Sequence, residues 1–174
     1  MNVRYNNGLA KCILGIIQHY DREKYWTRRE YVINPQKGRR IRKFIYLLYI
    51  KRCDAFNNAS MGTDINHGAQ FGSIPKLPHG LKGIVISPDA KIGKNCTIFH
   101  QVTIGNDYRD VHNVPIIGDN VKIYPGAKIV GKITIGNNVE IGANAVVTKD
   151  IPDNSLVVAE RCRIVCRGES NNAI

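Results

Sequence analysis

The chain has 174 residues, enough for one domain with a real core. Its apolar share of 43% is ordinary for a soluble protein, and no run of some 18 apolar residues occurs, so no segment reads as a membrane span. The net charge of +11 favours anionic partners such as nucleotides, nucleic acid or a phospholipid surface; with no groove-reading motif or aromatic platform beside it, nucleic acid is set aside.

Leu9, Ile13, Ile16 and Ile17, with Tyr20 beyond, are spaced for one face of a helix. The apolar stretch is short, is broken by Lys11, and has no small-residue cleavage site before Asp21-Arg22-Glu23-Lys24, so it reads as a helix and not as a signal peptide. Asn34-Pro35 and Gly38 interrupt the next segment. A second helix is predicted from about Arg40 to Asp54, with a stripe of Ile41, Phe44, Ile45 and Leu48; Tyr46, Leu47, Tyr49 and Ile50 make it apolar elsewhere too. A helix of this kind is buried in packing or lies on a membrane with Arg and Lys at its edge, and buried packing is the expectation. Lys37, Arg39, Arg40, Arg42, Lys43, Lys51 and Arg52 stand in this segment with no acid among them. Residues 1–60 are read as a helical N-terminal cap and 61–174 as a separate β-helix domain with a C-terminal tail.

From Ile86 onward aliphatic residues recur every six positions, at Ile92, Ile98 and Ile104, and again at Ile117, Ile123, Ile129, Ile135, Ile141 and Val147. A second, often smaller residue follows four positions later, at Ala90, Cys96, Val102, Val121, Ala127, Ile133, Val139 and Ala145. Upstream, Ile65, Phe71 and Leu77 keep the step, with three extra residues before Ile86. This is the hexapeptide pattern of a parallel β-helix. Each hexad makes one short face of a triangular coil. The aliphatic fills the prism, the smaller residue turns the corner, and Gly and Asn supply unusual backbone angles there. No coil buries its own apolar face, so stacking carries the stability. Between Ile104 and Ile117 the register needs one residue fewer than is present, and the polar run GNDYRDVHNVP reads as a loop extruded near 105–116.

The five cysteines, Cys12, Cys53, Cys96, Cys162 and Cys166, are odd in number and scattered. They form neither a disulfide framework nor a zinc-finger spacing, and they read as reduced thiols in a cytoplasmic protein.

The run TDINHGAQFGSIPKLPHGLKGIVISPDAKIGKNCTIFHQVTIG, with the later GAKIVGKITIGNNVEIGANAVVTKDIP, resembles the hexapeptide-repeat acyltransferases, which are left-handed β-helices, and within them the serine acetyltransferase branch. The resemblance covers Asp64 to about Val165. It implies direct transfer of an acetyl group from acetyl-CoA to a hydroxyl, in a homotrimer, with no metal. His79 matches that family's base and Asp64 the acid that orients it. A hydroxyl is a poor nucleophile until a base takes its proton, histidine titrates near neutrality, and a carboxylate fixes its tautomer. Asp64 and His79 are fifteen residues apart, close to one coil, which makes adjacent layers the expectation. His112 lies in the extruded loop, where the family has a second active-site histidine, though two residues before the aligned Val114. Arg109, Tyr108 and His100 are the other candidates for holding the acceptor, and His67 reads as a surface residue. For CoA the resemblance implies Gly126, Ala127, Gly142 and Ala143 as bare backbone for the pantetheine, and Lys149 and Arg163 as cations for its phosphates.

The match has gaps. Pro78 stands where the serine-specific branch has an aspartate that contacts the amino acid, the loop's Arg-His pair is out of register, and Ala159 to Arg163 departs from the usual C-terminal motif. A zwitterion needs charged partners at both ends, so a sugar or polysaccharide hydroxyl is the expected acceptor, as in short relatives of polysaccharide biosynthesis. Serine is the alternative, and a non-catalytic β-helix scaffold is the alternative of another class. The basic helix at 40–53 adds the expectation of peripheral contact with the inner face of a membrane.

Overall fold

The computed structural model describes residues 19–160. The predicted helix around Leu9–Ile17, together with Arg163, Cys12, Cys162 and Cys166, lies outside them.

Two helices come first. Helix α1, Arg22–Ile33, starts where the Asp21 carboxylate accepts the Lys24 backbone N–H at 3.0 Å, and it stops at Asn34-Pro35, since a residue before proline is pushed out of the helical region. Helix α2, Arg40–Phe56, follows. The expected burial of its Ile41–Phe44–Ile45–Leu48 stripe is not found within this chain: these four are 76, 54, 57 and 54% exposed. The opposite side packs instead, through Ile50, Cys53, Asp54 and Lys43. No helix of the described residues is long and apolar enough to cross a membrane.

From Ser60 the chain winds as a parallel β-helix of three faces. The first face stacks Ser60–Met61, Val85–Ile86, Thr103–Gly105, Lys128–Val130 and Val146–Val147. The second stacks Gln70–Phe71, Lys91–Ile92, Ile116–Ile117 and Thr134–Ile135; the third stacks Thr97–Ile98, Lys122–Ile123, Glu140–Ile141 and Leu156–Val157, with Lys76 bridged to Thr97. Partners are in strict register, Ile86 with Ile104 and Ile104 with Ile129, so identical hexad positions lie on top of one another. The repeat aliphatics Ile86, Ile98, Ile104, Ile123, Ile129 and Ile141 are fully buried, each worth roughly 2 kcal/mol of removed apolar surface. The smaller corner residues, Ala90 to Ala145, are buried beside them.

The edge between second and third faces is a polar ladder. Asn95 donates to Asn120, Asn120 to Asn138 and Asn138 to Asn154, all four with φ of 56–58° or, at Asn138, 55°. Asparagine tolerates that left-handed backbone better than other side chains, which explains its recurrence at these corners.

One part of the first coil departs from the predicted register. The strand paired with Val85–Ile86 is Ser60–Met61, and Met61, not Ile65, is the buried residue of the first face. The chain then leaves the coil as an antiparallel hairpin, Thr63–Asp64 against His67–Gly68, and rejoins the second face at Gln70. Gly62 permits the exit with φ +54°, where a Cβ would meet the Ser87 carbonyl at 2.8 Å. The buried Arg29 holds the neck: its guanidinium donates to the carbonyls of Met61, Gly62 and Ala69 at 3.0, 3.2 and 2.7 Å and, from Nε, to Thr63 Oγ1. The Gly62 carbonyl takes the Ala69 N–H as well, at 2.8 Å, so side chain and backbone together satisfy the acceptors of the neck. Lys43 does the same at the hairpin tip, donating to the Asn34 carbonyl and the Asn66 side chain. The helices and the first coils thus share one core, in which Tyr25, Trp26, Val32 and Ile50 join the isoleucine columns.

Candidate active site

Two edges of the prism carry the chemistry, and the first face separates them. The edge between third and first faces brings together His79, His100, Gly126, Ala127, Gly142 and Ala143. The Gly126 N–H donates to the His100 carbonyl at 3.1 Å and the Asn144 N–H to the Pro125 carbonyl at 2.9 Å, so these corners stack directly. The edge between first and second faces carries the hairpin, Asp89, the extruded loop and Lys149.

His79 and His100 meet Nδ1 to Nδ1 at 2.6 Å. Their separation of 21 residues is one coil of three hexads plus the three-residue insertion, which places them one above the other. Phe99 presents its ring edge-on to His79 at 5.8 Å and stacks on Tyr124 at 5.4 Å, giving the His79 ring an aromatic wall. The pair opens into a cleft of about 630 Å³ lined by Tyr20, Leu77, Pro78, Gly80 and Lys82. A second depression, of about 510 Å³, shares Lys82 and His100 and extends to Phe56, Asn57 and Gln101. Burial pushes the Tyr20 hydroxyl up to about 12, against the bond it accepts from the Trp26 indole N–H, so Tyr20 stays a neutral phenol in the cleft wall.

Within one chain Asp64 does not reach His79; its hairpin stands on the loop-bearing edge, with His112 and Arg109. It lies exposed on the hairpin, opposite His67, and among the described residues no hydrogen bond or ion pair joins it to His79. The reason is the register shift: the first-face position beneath Val85 belongs to Ser60. Within the chain, the side-chain contact to His79 Nδ1 comes from His100. Two nitrogens this close need a proton between them, and the tautomer in which His79 donates to His100 is the one that leaves the His79 Nε2 lone pair open to the cleft.

On the other edge Asp89 was missed by sequence reasoning. Its carboxylate takes His67 Nε2 at 3.0 Å and His112 Nδ1 at 3.1 Å, one oxygen each. The separations are 23 residues from Asp89 to His112 and 22 from His67 to Asp89, neither of which is a multiple of six, so the hexad count gives no sign of the cluster. The loop spans residues 106–115, where it was expected, but Ile104 and Ile117 lie on consecutive faces one hexad apart, so the chain inserts seven residues there and not one. It is braced by Asp107, which accepts from the Arg109 N–H at 3.1 Å and the Asn113 amide at 3.4 Å. Tyr108 stands 96% exposed at its tip, and Arg109 is exposed beside it. His112, Arg109 and Tyr108 do not approach the His79 cleft within one chain, since they occupy the other edge.

The bare positions expected for CoA have a structural duty as well. A Cβ on Gly126, whose φ is +74°, would meet Asn144 Oδ1 at 2.1 Å. Lys149 is exposed on the loop-bearing edge, and Arg163 lies outside the described residues. Among the described residues no group of three or more ligating side chains is placed to hold a metal ion.

Known proteins match this arrangement. The family described as bacterial transferase hexapeptide (six repeats) matches residues 115–149. The serine acetyltransferase of Staphylococcus xylosus is 46% identical over 98 residues, covering 56% of this chain and 45% of that protein. The serine acetyltransferase of Helicobacter pylori is 36% identical over 107 residues, covering 61% of this chain and 62% of that one. The crystal structure of Neisseria gonorrhoeae serine acetyltransferase in complex with serine superposes with a TM-score of 0.61 at 30% identity, over 82% of this chain and 54% of the other. The fold is therefore the left-handed β-helix of serine acetyltransferases, built on the hexapeptide transferase repeat. The chain is similar to serine acetyltransferases over its β-helix, and it spans about half the length of the curated relatives it matches.

Proposed function

We propose that this chain is an acetyl-CoA-dependent O-acetyltransferase in which His79 is the general base and a serine hydroxyl is the acceptor. The observation that carries the reading is the His79–His100 pair at the mouth of the cleft, on the same edge as Gly126 and Gly142. His79 Nε2 takes the proton of the hydroxyl as its oxygen attacks the thioester carbonyl. The tetrahedral intermediate collapses with cleavage of the C–S bond, and the imidazolium returns the proton to the departing CoA sulfur. His100, accepting the Nδ1–H, keeps the ring in the tautomer this needs. It stabilises the imidazolium less than a carboxylate would.

The names of the relatives support the donor and favour serine over the sugar expected from Pro78. A sugar hydroxyl remains the second reading. Pro78 offers no charge to an ammonium group, and the exposed Tyr108 ring on the loop suits stacking on a sugar. A non-catalytic scaffold has no use for paired histidines in an open cleft. A cyclic trimer completes the site by bringing the loop-bearing edge of one subunit, with His112, Arg109 and Lys149, against the His79 edge of the next.

Thiol release from acetyl-CoA, measured with L-serine and with a panel of sugars, tests the reading. Serine-dependent release that falls by about 10²- to 10⁴-fold in His79→Ala is expected. Release with a sugar alone would replace the acceptor and keep the base. Release that survives in His79→Ala would remove the base.

A further inference from the structure

We propose that the outer face of α2 docks on an anionic lipid bilayer. Ile41, Phe44, Ile45 and Leu48 fall three and four residues apart, so they share one side of the helix. Phe56, 56% exposed, continues that side at the C-terminal end. Four large apolar side chains in a row, each more than half exposed, form a contiguous patch, which a folded chain rarely leaves to water without a use for it.

The charges around the patch choose its occupant. On the 3.6-residue helix, Arg40 and Lys51 run along one margin, Arg42 stands on the other, and Arg52 lies in line with the stripe. All four are exposed, and Arg39 precedes them at the cap. The single acid of α2, Asp54, is buried on the opposite side. A second α2 laid on this face would set cation against cation with no carboxylate to pair. A sheet of anionic headgroups supplies the missing charge, while the apolar stripe enters the acyl boundary and the Arg and Lys stems lie along it. With 17 residues and cations on both margins, the helix lies in the plane of the surface and does not cross it.

The seat of α2 gives the docking a consequence. Phe56 ends the stripe and also lines the depression that His100 and Lys82 share with the cleft. A bilayer held against α2 therefore sits at the side of the His79 edge.

Co-sedimentation of the full chain with phosphatidylcholine vesicles, with and without phosphatidylglycerol, is the test, beside Phe44→Ser/Leu48→Ser and Arg40→Gln/Arg42→Gln. All four positions are exposed, so the fold should survive, and circular dichroism checks it. Binding to the anionic vesicles at least about tenfold stronger than to the neutral ones, and weakened by salt, is expected. Each double variant should lose about tenfold in that binding. Three results would overturn the proposal. The chain stays in the supernatant with both vesicles. The variants sediment as the parent does, which puts the contact elsewhere on a strongly basic surface. Or the apolar variant lowers the mass in light scattering without vesicles, which makes the face a contact between proteins. None of these readouts depends on the acetyl acceptor.

Discussion

At the scale of single residues, the site turns on what holds an imidazole. Among the described residues of one chain no carboxylate bonds to His79, and His100 meets it through one nitrogen. Any side chain that accepts at that point should serve. His100→Gln, whose amide oxygen can accept the His79 Nδ1–H, should keep most of kcat/KM, and His100→Ala should lose roughly tenfold to a hundredfold by releasing the ring and its tautomer. Steady-state rates on the two variants decide it; equal losses would mean that His100 contributes bulk and not a bond. Asp89 is the counterpart on the loop edge. Because it restrains His112 and His67 and touches neither cleft nor base, Asp89→Ala should raise KM for the acceptor by about tenfold and leave kcat within about twofold. A fall in kcat with KM unchanged would contradict this positioning role. Of these residues His79, His100 and His112 were legible in the sequence as site candidates, though not the contact of His100 with His79, and Asp89 was not legible. His100 and Asp89 owe their roles to neighbours one coil away, and a coil here is 18 residues plus whatever each corner inserts, so pairs 21 to 23 apart hide in a six-residue count.

At the scale of elements, the isoleucine columns were legible because each hexad position has one fate, inward or outward, repeated with the ladder register. The hairpin was not, because Ile65 keeps the six-residue step by number while the backbone has already left the coil at Gly62. What diverts it is Arg29, on a helix more than thirty residues upstream, and a long-range buried cation leaves no periodic trace. The same seam between helices and coils holds a titratable group. Asp54, buried and accepting the Tyr25 hydroxyl at 2.6 Å, has its carboxyl pushed up from 3.8 to about 6, chiefly by burial, against the pull of the Tyr25 bond and of Lys51, the Met61 N–H and Arg29. Below 3.8 the group is protonated folded or unfolded and adds no pH dependence. Between about 4 and 6 the folded chain keeps a proton that the unfolded chain releases, so stability falls as pH rises through that window, by roughly 3 kcal/mol in full. Asp54→Asn keeps an acceptor for Tyr25 and removes the titration. Urea midpoints at pH 4 and pH 7 should therefore drop for the parent relative to the variant. Parallel midpoints would show that Asp54 ionises as freely in the fold as outside it.

At the scale of the whole molecule, the arrangement of edges keeps the candidate residues of one chain apart. His79 and His100 stand on one edge of the prism, His112 and Arg109 on another, and the rigid first face between them cannot fold to join the two. If all of them act on one substrate, the residues come from two chains, and in a cyclic trimer each site takes its base from one subunit and its loop from the next. That geometry predicts complementation. His79→Ala and His112→Ala should each be nearly inactive alone. When the two are unfolded together in equal amounts and reassembled, a site is whole wherever an intact His79 edge meets an intact loop. Random assembly makes both conditions true for about one site in four, so the mixture should regain about a quarter of the parent activity. The readout is thiol release from the mixture against each variant refolded alone. Activity no greater than the mean of the two would assign His79 and the loop to one chain's own site, and with it would fall the reason for a shared active centre between subunits.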